Sequence, residues 1–367
     1  MKILNIVGAR PNFMKIAPII EAMNRRRDRI DQVLVHTGQH YDEKMSKAFF
    51  EDLGMPRPDI DLGVGSGTHA EQTGRVMVEF EKVCVKERPD LVVVVGDVNS
   101  TMACAITAKK LGIKVAHVEA GLRSRDMSMP EEINRLCTDV LCDYLFTTDH
   151  FANENLKREG IPDEKIFFVG NVMIDTLMKH KKAAARLNLA DRIGLEPEKY
   201  ATLTLHRPSN VDDKDTLQGI LEALSQIAKE LPIVFPIHPR TKKMADLFGL
   251  SYYFSNGSKV KGIWTTDPLG YLEFLHLNMR AKMVLTDSGG LQEETTVLCI
   301  PCITMRENTE RPITCEIGTN VIVGNKPDNI LAAAKKILNG SNISGKVPEK
   351  WDGKAAERIV ECLLANV

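Results

Sequence analysis

Apolar and polar positions follow a repeating rhythm along the chain. Apolar runs of strand length fall at 3–8, 33–38, 91–96, 115–119, 145–148 and 166–170. Between them lie stretches with apolar residues three and four apart, as at 70–86 and 101–111. A second series of runs follows at 201–206, 233–238, 262–265, 283–287, 302–305 and 321–324, again separated by helical spacing, most clearly at 214–230. Near-continuous apolar runs fit strands buried on both faces, and their alternation with helices fits parallel sheets covered by helices. The rhythm breaks between Asn171 and Tyr200, where two helical stretches and a Leu-Glu-Pro turn intervene. The expected fold class is α/β, with two doubly wound Rossmann-like domains in series that face a cleft. One domain covers 1–171 and the other 172–354. An amphipathic helix closes the chain at 355–365, and its spacing does not say which domain it joins.

Length and composition agree with this reading. At 367 residues the chain exceeds one ordinary core. Hydrophobic residues make up 43% and charged residues 26%, normal for a globular protein. A net charge of −1 and a pI near 6.8 lack the basic excess of a nucleic-acid partner. No run reaches the roughly 18 apolar residues of a membrane helix, and the first run is too short for a secretion signal. Most of the eight cysteines lie in apolar runs and read as small core residues in a reducing compartment. Cys299 and Cys302 have C-x-x-C spacing, but no second pair stands at zinc-ribbon distance, so no metal is assigned. The expectation is a cytoplasmic protein with no nucleic-acid partner and no membrane insertion.

Candidate chemistry collects where apolar runs stop, which is where open α/β sheets place ligands. The densest stretch is 117–135, HVEAGLRSRDMSMPEEINR. Glu119 ends a run, and Pro130 suits the first turn of a helix whose apolar positions are Ile133, Leu136, Cys137, Val140 and Leu141. Glu131 and Arg135 stand one helical turn apart. Ser128 and Glu131 also fit a purely structural capping box, and Arg135 could simply pair with Glu131. Four carboxylates and three arginines in one glycine-bearing stretch exceed what capping needs.

Other strand ends add to this set. Gly8-Ala9-Arg10-Pro11 with Lys15 one turn on suits an anionic group near free amides. It is not G-x-G-x-x-G, so no nicotinamide cofactor is expected. The glycines at 63, 65 and 67 read as a flexible loop. Asp97 follows the most apolar run, where it could be catalytic or an N-cap. His206 with Arg207 could meet phosphate or be structural. Ser288-Gly289-Gly290 opens a helix whose amides suit phosphate, with Glu294 one turn later able to reach a ribose diol. Arg311 follows another run. Phe274 could be helix core or flank a base.

Taken together, GARPNFMKIAP, GDVNST, HVEAGLRSRDMSMPEEINR, LHRPSN, TDSGGLQEE and ENTERP, in this order, resemble the non-hydrolysing UDP-N-acetylglucosamine 2-epimerases over nearly the whole chain. The resemblance implies a glycosyltransferase-B fold whose terminal helix, 355–367, returns to the first domain. It implies Asp97, Glu119 and Glu131 as acid/base carboxylates, with Arg135 supporting Glu131. It gives Arg10, Lys15 and Arg311 to the nucleotide sugar, and His206, Ser288, Gly289 and Gly290 to the diphosphate. Glu294 would take the ribose, and Leu269 and Phe274 the uracil end. The implied ligands are UDP-GlcNAc, UDP-ManNAc and UDP, with no cofactor; a homodimer is expected.

Two departures stand out. Bacterial members tend to carry R-P-E where this chain has Arg10-Pro11-Asn12, and H-R-x-E-N where it has His206-Arg207-Pro208-Ser209-Asn210. Many also bind a second UDP-GlcNAc as an activator. Gln39, His40 and His238 lie in suitable regions, but the lost glutamates keep that trait from being carried over.

The implied reaction is reversible epimerisation at C2 through anti elimination of UDP to 2-acetamidoglucal and re-addition, feeding surface polysaccharide or glycan synthesis. C2–H has no adjacent carbonyl, so breaking C1–O must acidify it. One acid and one base must flank C2, and cations must hold the leaving diphosphate. A glycosyltransferase of the same fold, a hydrolysing epimerase and a nucleotide-sugar sensor are the alternatives. A sensor needs no carboxylate cluster.

Overall fold

The structure, a computed structural model, describes residues 1–38, 54, 57–257, 260–340 and 345–367. It divides into two compact units, Met1–Lys179 with Glu349–Val367, and His180–Pro348. The division falls within the helix Val172–Ala185, inside the stretch where the apolar rhythm breaks and somewhat after the expected boundary at 171.

The first unit contains β1 (Lys2–Val7), α1 (Arg10–Asn24), β2 (Asp31–His36), β3 (Ile60–Asp61), α2 (His69–Glu87), β4 (Leu91–Val95), α3 (Asn99–Lys110), β5 (Lys114–Ala120), α4 (Pro130–Leu141), β6 (Tyr144–Thr147), α5 (His150–Arg158) and β7 (Ile166–Phe168). Helix α6 (Val172–Ala185) leads into the second unit. The sheet is parallel, in the order β3-β2-β1-β4-β5-β6-β7. Leu91 to Val95 are all buried, as a central strand covered on both faces requires, and each such side chain is worth about 1.5–3 kcal/mol. The order reverses between β1 and β4, so the loops after these strands and after β5 form the edge at which open α/β sheets place ligands. The glycine-rich stretch at 63–67 is tied down rather than loose. β3 precedes it, and Val64 and Gly65 donate backbone bonds to Thr37 and Gly38.

The second unit runs α7 (Leu189–Arg192), β8 (Ala201–Thr204), α8 (Pro208–Val211), α9 (Lys214–Glu230), β9 (Ile233–Pro236), α10 (Pro239–Phe248), β10 (Phe254–Ser255), β11 (Ile263–Thr266), α11 (Tyr271–Arg280), β12 (Met283–Thr286), α12 (Gly289–Leu298), β13 (Cys302–Thr304), α13 (Ile313–Glu316), β14 (Asn320–Ile322) and α14 (Pro327–Leu338). Its parallel sheet has the order β10-β11-β9-β8-β12-β13-β14, with the reversal between β8 and β12. Helix α9 shows how sequence becomes packing. Asp213 caps it by accepting from the Thr216 amide, and Leu217, Ile220, Leu221, Leu224 and Ile227 bury one face against the sheet.

The terminal helix α15 (Ala355–Asn366) belongs to the first unit. Its first amides, at Ala355 and Ala356, donate to Asp175, and buried Trp351 donates to the Thr148 carbonyl. Gly170 has no room for a Cβ, which would collide with the Lys350 carbonyl, so the crossing needs glycine there.

One helix departs from its sequence reading. The apolar positions of α4 do not face the core: Ile133 is 43% and Val140 65% exposed. Its buried face is polar, made of Glu132, Asn134, Arg135, Thr138 and Asp139.

Candidate active site

In the first unit the loop after β1 carries Asn12 on the first turn of α1. Its Oδ1 accepts from the Ala9 amide at 2.9 Å and its Nδ2 donates to the Val95 carbonyl at 2.8 Å. Asn12, which stands where bacterial members tend to carry glutamate, thus joins the ends of the two switch-point strands. Arg10 heads α1, and its side chain lies outside the described residues, as do Gln39 and His40. Lys15, one turn on, is buried and forms an ion pair with buried Glu119. Gly96 makes this possible, since a Cβ there would stand 2.9 Å from Lys15 Nζ and 3.2 Å from Asn12 Nδ2.

Glu119 takes φ +74° where the ladder to β6 shifts register between Val118 and Ala120. A left-handed glutamate inside a strand end costs about 1–3 kcal/mol, the kind of strain that concentrates at functional sites. Asp97 follows β4 and accepts from Arg135 Nη1 at 3.2 Å.

Glu131 opens α4, half-buried, with no partner among the described residues. The capping box that is the structural alternative does not form. Met129 is the N-cap, and the Ser128 hydroxyl donates to Asp126. Nor does Arg135 pair with Glu131. Its guanidinium lies between Asp97 and Glu132, whose Oε2 is 3.1 Å from Nε. Glu132 in turn accepts from the amides of Ser124 and Arg125 and so fixes the loop. The reason is the inverted face of α4, which points Arg135 inward and leaves Glu131 off that network.

In the second unit His206 follows β8 and stands 2.8 Å from Asp287 Oδ1 through Nδ1. Asp287 ends β12, is fully buried, and accepts from the His206 and Arg207 amides at 2.8 and 2.7 Å. Burial alone would raise its carboxyl, but His206 and these amides outweigh it and hold the group below its ordinary value. His238 lies with its ring 5.4 Å from that of His206 and caps α10 by accepting from the Arg240 amide.

Ser288 is the N-cap of α12, and Gly289 and Gly290 head the helix, where amides have no intrahelical acceptor. The Ser288 amide itself is already taken by Thr286 Oγ1 at 2.9 Å. Arg311 lies against this turn: a Cβ on Gly289 would stand 2.7 Å from its Nη1. It is buried, with Nε 2.6 Å from Glu293 and Nη1 bonded to Glu310, so its charge is engaged by the protein. Arg306 closes this network on Glu310 at 2.9 Å.

Glu294 is buried and accepts from the Tyr271 hydroxyl at 3.0 Å. Burial pushes its carboxyl up to about 7, with Glu293 adding to the rise and the Tyr271 bond opposing it. Phe274 packs half-buried on Val284, Leu291 and Ile300, and Leu269 on the cluster around Tyr200 and Val234. Both are parts of the apolar framework behind this edge. Among the described residues no cluster of three metal-ligating side chains occurs, and no helix is long and apolar enough to cross a membrane.

The residues unread in the sequence are those beneath the first layer: His117, Glu132, Asp139, Asp287, Glu293 and Glu310. One signal was present. Glu132, Arg135 and Asp139 keep helical spacing as regularly as the apolar stripe does.

Two parallel seven-stranded sheets, one with carboxylates at its strand ends and the other with a glycine turn heading a helix, make this a two-domain α/β protein of the glycosyltransferase-B class. A family model described as UDP-N-acetylglucosamine 2-epimerase matches residues 22–364. A UDP-N-acetylglucosamine 2-epimerase of Methanocaldococcus jannaschii is 46% identical, over 99% of each chain. A UDP-2,3-diacetamido-2,3-dideoxy-D-glucuronate 2-epimerase of Pseudomonas aeruginosa is 43% identical, again over 99% of each. The crystal structure of the Methanocaldococcus jannaschii UDP-GlcNAc 2-epimerase in complex with UDP-GlcNAc and UDP superposes with a TM-score of 0.91, covering all of both chains. The chain belongs to the UDP-N-acetylglucosamine 2-epimerase family.

Proposed function

We propose that this enzyme interconverts UDP-GlcNAc and UDP-ManNAc by inverting C2, in the cytoplasm, as a step toward surface polysaccharide or glycan. The observation that carries this reading is the set Asp97, Glu119 and Glu131 at one sheet edge, in a chain 46% identical to an enzyme of that name. The second unit grips UDP. Gly289 and Gly290 offer amides to the diphosphate, His206 adds a donor, and Glu294 accepts from the ribose. Leu269 and Phe274 border the uracil end, and Arg311 stiffens the turn from behind.

The first unit works on the sugar. Departure of UDP leaves positive charge at C1 and acidifies C2–H, and a carboxylate removes that proton. This gives 2-acetamidoglucal and UDP. A second carboxyl group, in its protonated form, delivers a proton to the other face of C2 as UDP returns to C1, and exchange with solvent then resets both groups, so bonds and charges balance with no cofactor. The family resemblance gives Arg10 and Lys15 to the nucleotide sugar, and Arg135 Nη2 has no partner among the described residues.

A homodimer fits the outer face of the first unit. Val78 and Val85 on α2, and Ile133 and Val140 on α4, are exposed apolar pairs seven residues apart, on helices that flank α3.

The test is proton NMR of UDP-GlcNAc with the purified protein alone. UDP-ManNAc should grow in to an equilibrium reached from either side. Free ManNAc would mark a hydrolysing enzyme, and no change would leave a transferase or a sensor. The 43% identity to the diacetamido-glucuronate epimerase favours a second substrate. A higher kcat/KM for that sugar nucleotide would move the assignment to it.

A further inference from the structure

Beneath the carboxylates lies a buried group that the proposed reaction does not use. His117, on β5, has no exposed surface. Its Nδ1 is 2.6 Å from Asp139 Oδ1 and its Nε2 is 2.8 Å from the Gly96 carbonyl oxygen. A carbonyl only accepts, so Nε2 carries a proton and donates it. A second proton lies between Nδ1 and Asp139. Burial would raise Asp139, but His117 and Arg123 outweigh it and hold the carboxyl below its ordinary range. The ring is thus hydrogen-bonded through both of its nitrogens, to Asp139 on one side and to Gly96 on the other.

The connections of this pair reach both sides of Glu119. Asp139 Oδ2 accepts from the Gly121 amide at 3.0 Å and from Arg123 Nη1 at 2.7 Å. One carboxylate thus holds the residue two before Glu119 through a ring, and the residue two after it through an amide. Glu119 stands between these anchors at φ +74°. The third anchor is Gly96, held by the His117 ring and, through its own amide, by the Val118 carbonyl. Asp97 follows immediately. Glycine is required at 121, where a Cβ would run into the Ala152 carbonyl.

We propose that His117 and Asp139 are positioning residues that set Glu119 and Asp97 in register with each other for proton transfer at C2. The inference rests on the epimerase reading. A pair buried this way fixes geometry that the strained bulge would otherwise lose. The two carboxylates need not face the same side of the sugar, so moving one relative to the other changes the two proton transfers unequally.

This gives a readout that fold stability does not move. Epimerisation of UDP-GlcNAc in D₂O yields two rates, deuterium entry at C2 of recovered substrate and formation of deuterated UDP-ManNAc. A variant that merely lowers the folded fraction scales both rates together. Asp139→Asn and His117→Gln should lower kcat about 10–100-fold, the range seen when a group behind a functional side chain is removed. They should leave KM within about twofold and change the ratio of the two rates. His117→Gln keeps an amide donor and serves if Asp139→Asn does not fold. Cys104→Ala, equally buried in the first unit's core, should leave the ratio unaltered. An unchanged ratio in folded His117→Gln, or a loss of activity entirely in KM, would overturn the assignment. If wild-type protein forms no UDP-ManNAc at all, it is the epimerase reading that fails.

Discussion

The two units each fold around a seven-stranded parallel sheet with one reversal of strand order, but they build their edges in different ways. In the first, functional side chains meet other side chains in ion pairs: Lys15 with Glu119, Arg135 with Asp97 and Glu132. In the second, backbone leads. Gly289 and Gly290 present amides, while Asp287 and Arg311 hold the turns from beneath. The diphosphate gains charge as it leaves C1 but keeps its place until it returns, so fixed amides suit it. The C2 centre changes charge and protonation at each step, so titratable groups with individually set surroundings suit it. The comparison makes a sharp claim: variants in the first unit should damage chemistry and spare UDP binding, and variants in the second should do the reverse.

The largest effects are expected from the carboxylates. Asp97→Asn, Glu119→Gln and Glu131→Gln should each lower kcat by roughly 10²–10⁴-fold, the usual contribution of an acid/base group. UDP affinity, by calorimetry, should stay within about threefold of wild type. A Glu131→Gln enzyme with full turnover and a lowered melting temperature would return that residue to a structural role.

Next comes the buried pair. Lys15→Met breaks a buried ion pair at Glu119, which costs about 3–5 kcal/mol by urea unfolding. Adding Glu119→Gln to Lys15→Met should recover much of that loss. A loss below about 1 kcal/mol would mean that the pair is solvated.

Proton dependence separates the units further. Glu294 has its carboxyl pushed up to about 7, so it is protonated below that pH and ionised above it. Ribose hydroxyls donate to the ionised form. UDP binding should therefore weaken as pH falls through about 7, by at most tenfold per unit, and Glu294→Gln should flatten the profile. Stability runs the other way. The folded protein holds this proton more tightly than the unfolded chain, so the contribution is present at low pH and is lost as pH rises through about 7. A UDP affinity independent of pH between 6 and 8 would remove Glu294 from the ribose.

The smallest effect concerns assembly. Ile133→Asp with Val140→Asp should convert the proposed dimer to monomer in sedimentation and change stability of the first unit little, since both side chains are already exposed. A wild-type monomer in the same experiment would end the dimer proposal.

The sequence made the α/β class legible because buried parallel strands are apolar without interruption, as Leu91 to Val95 show. The ligand-bearing edges were legible because glycines and charges interrupt such strands at their ends. The orientation of α4 was not. Its apolar and polar stripes are equally regular, and apolar burial is the ordinary expectation. The polar stripe turns inward because Arg135 and Asp139 find Asp97, His117 and Arg123 there. Those partners are distant in sequence, and a single chain gives no sign of which charges meet. The same holds for Arg311, whose partner Glu293 looked like one more acid at a phosphate turn. Short edge strands such as Ile60–Asp61 and Phe254–Ser255 carry too few residues for any period to be read.

The most direct test of the chemistry is proton NMR of UDP-GlcNAc turned over in D₂O with no other addition. Elimination and re-addition requires the C2 proton to leave and a solvent proton to return. Both UDP-ManNAc and recovered UDP-GlcNAc should therefore carry deuterium at C2 and nowhere else on the sugar. UDP-ManNAc that retains its original C2 hydrogen would contradict the mechanism and the roles of Asp97, Glu119 and Glu131 with it.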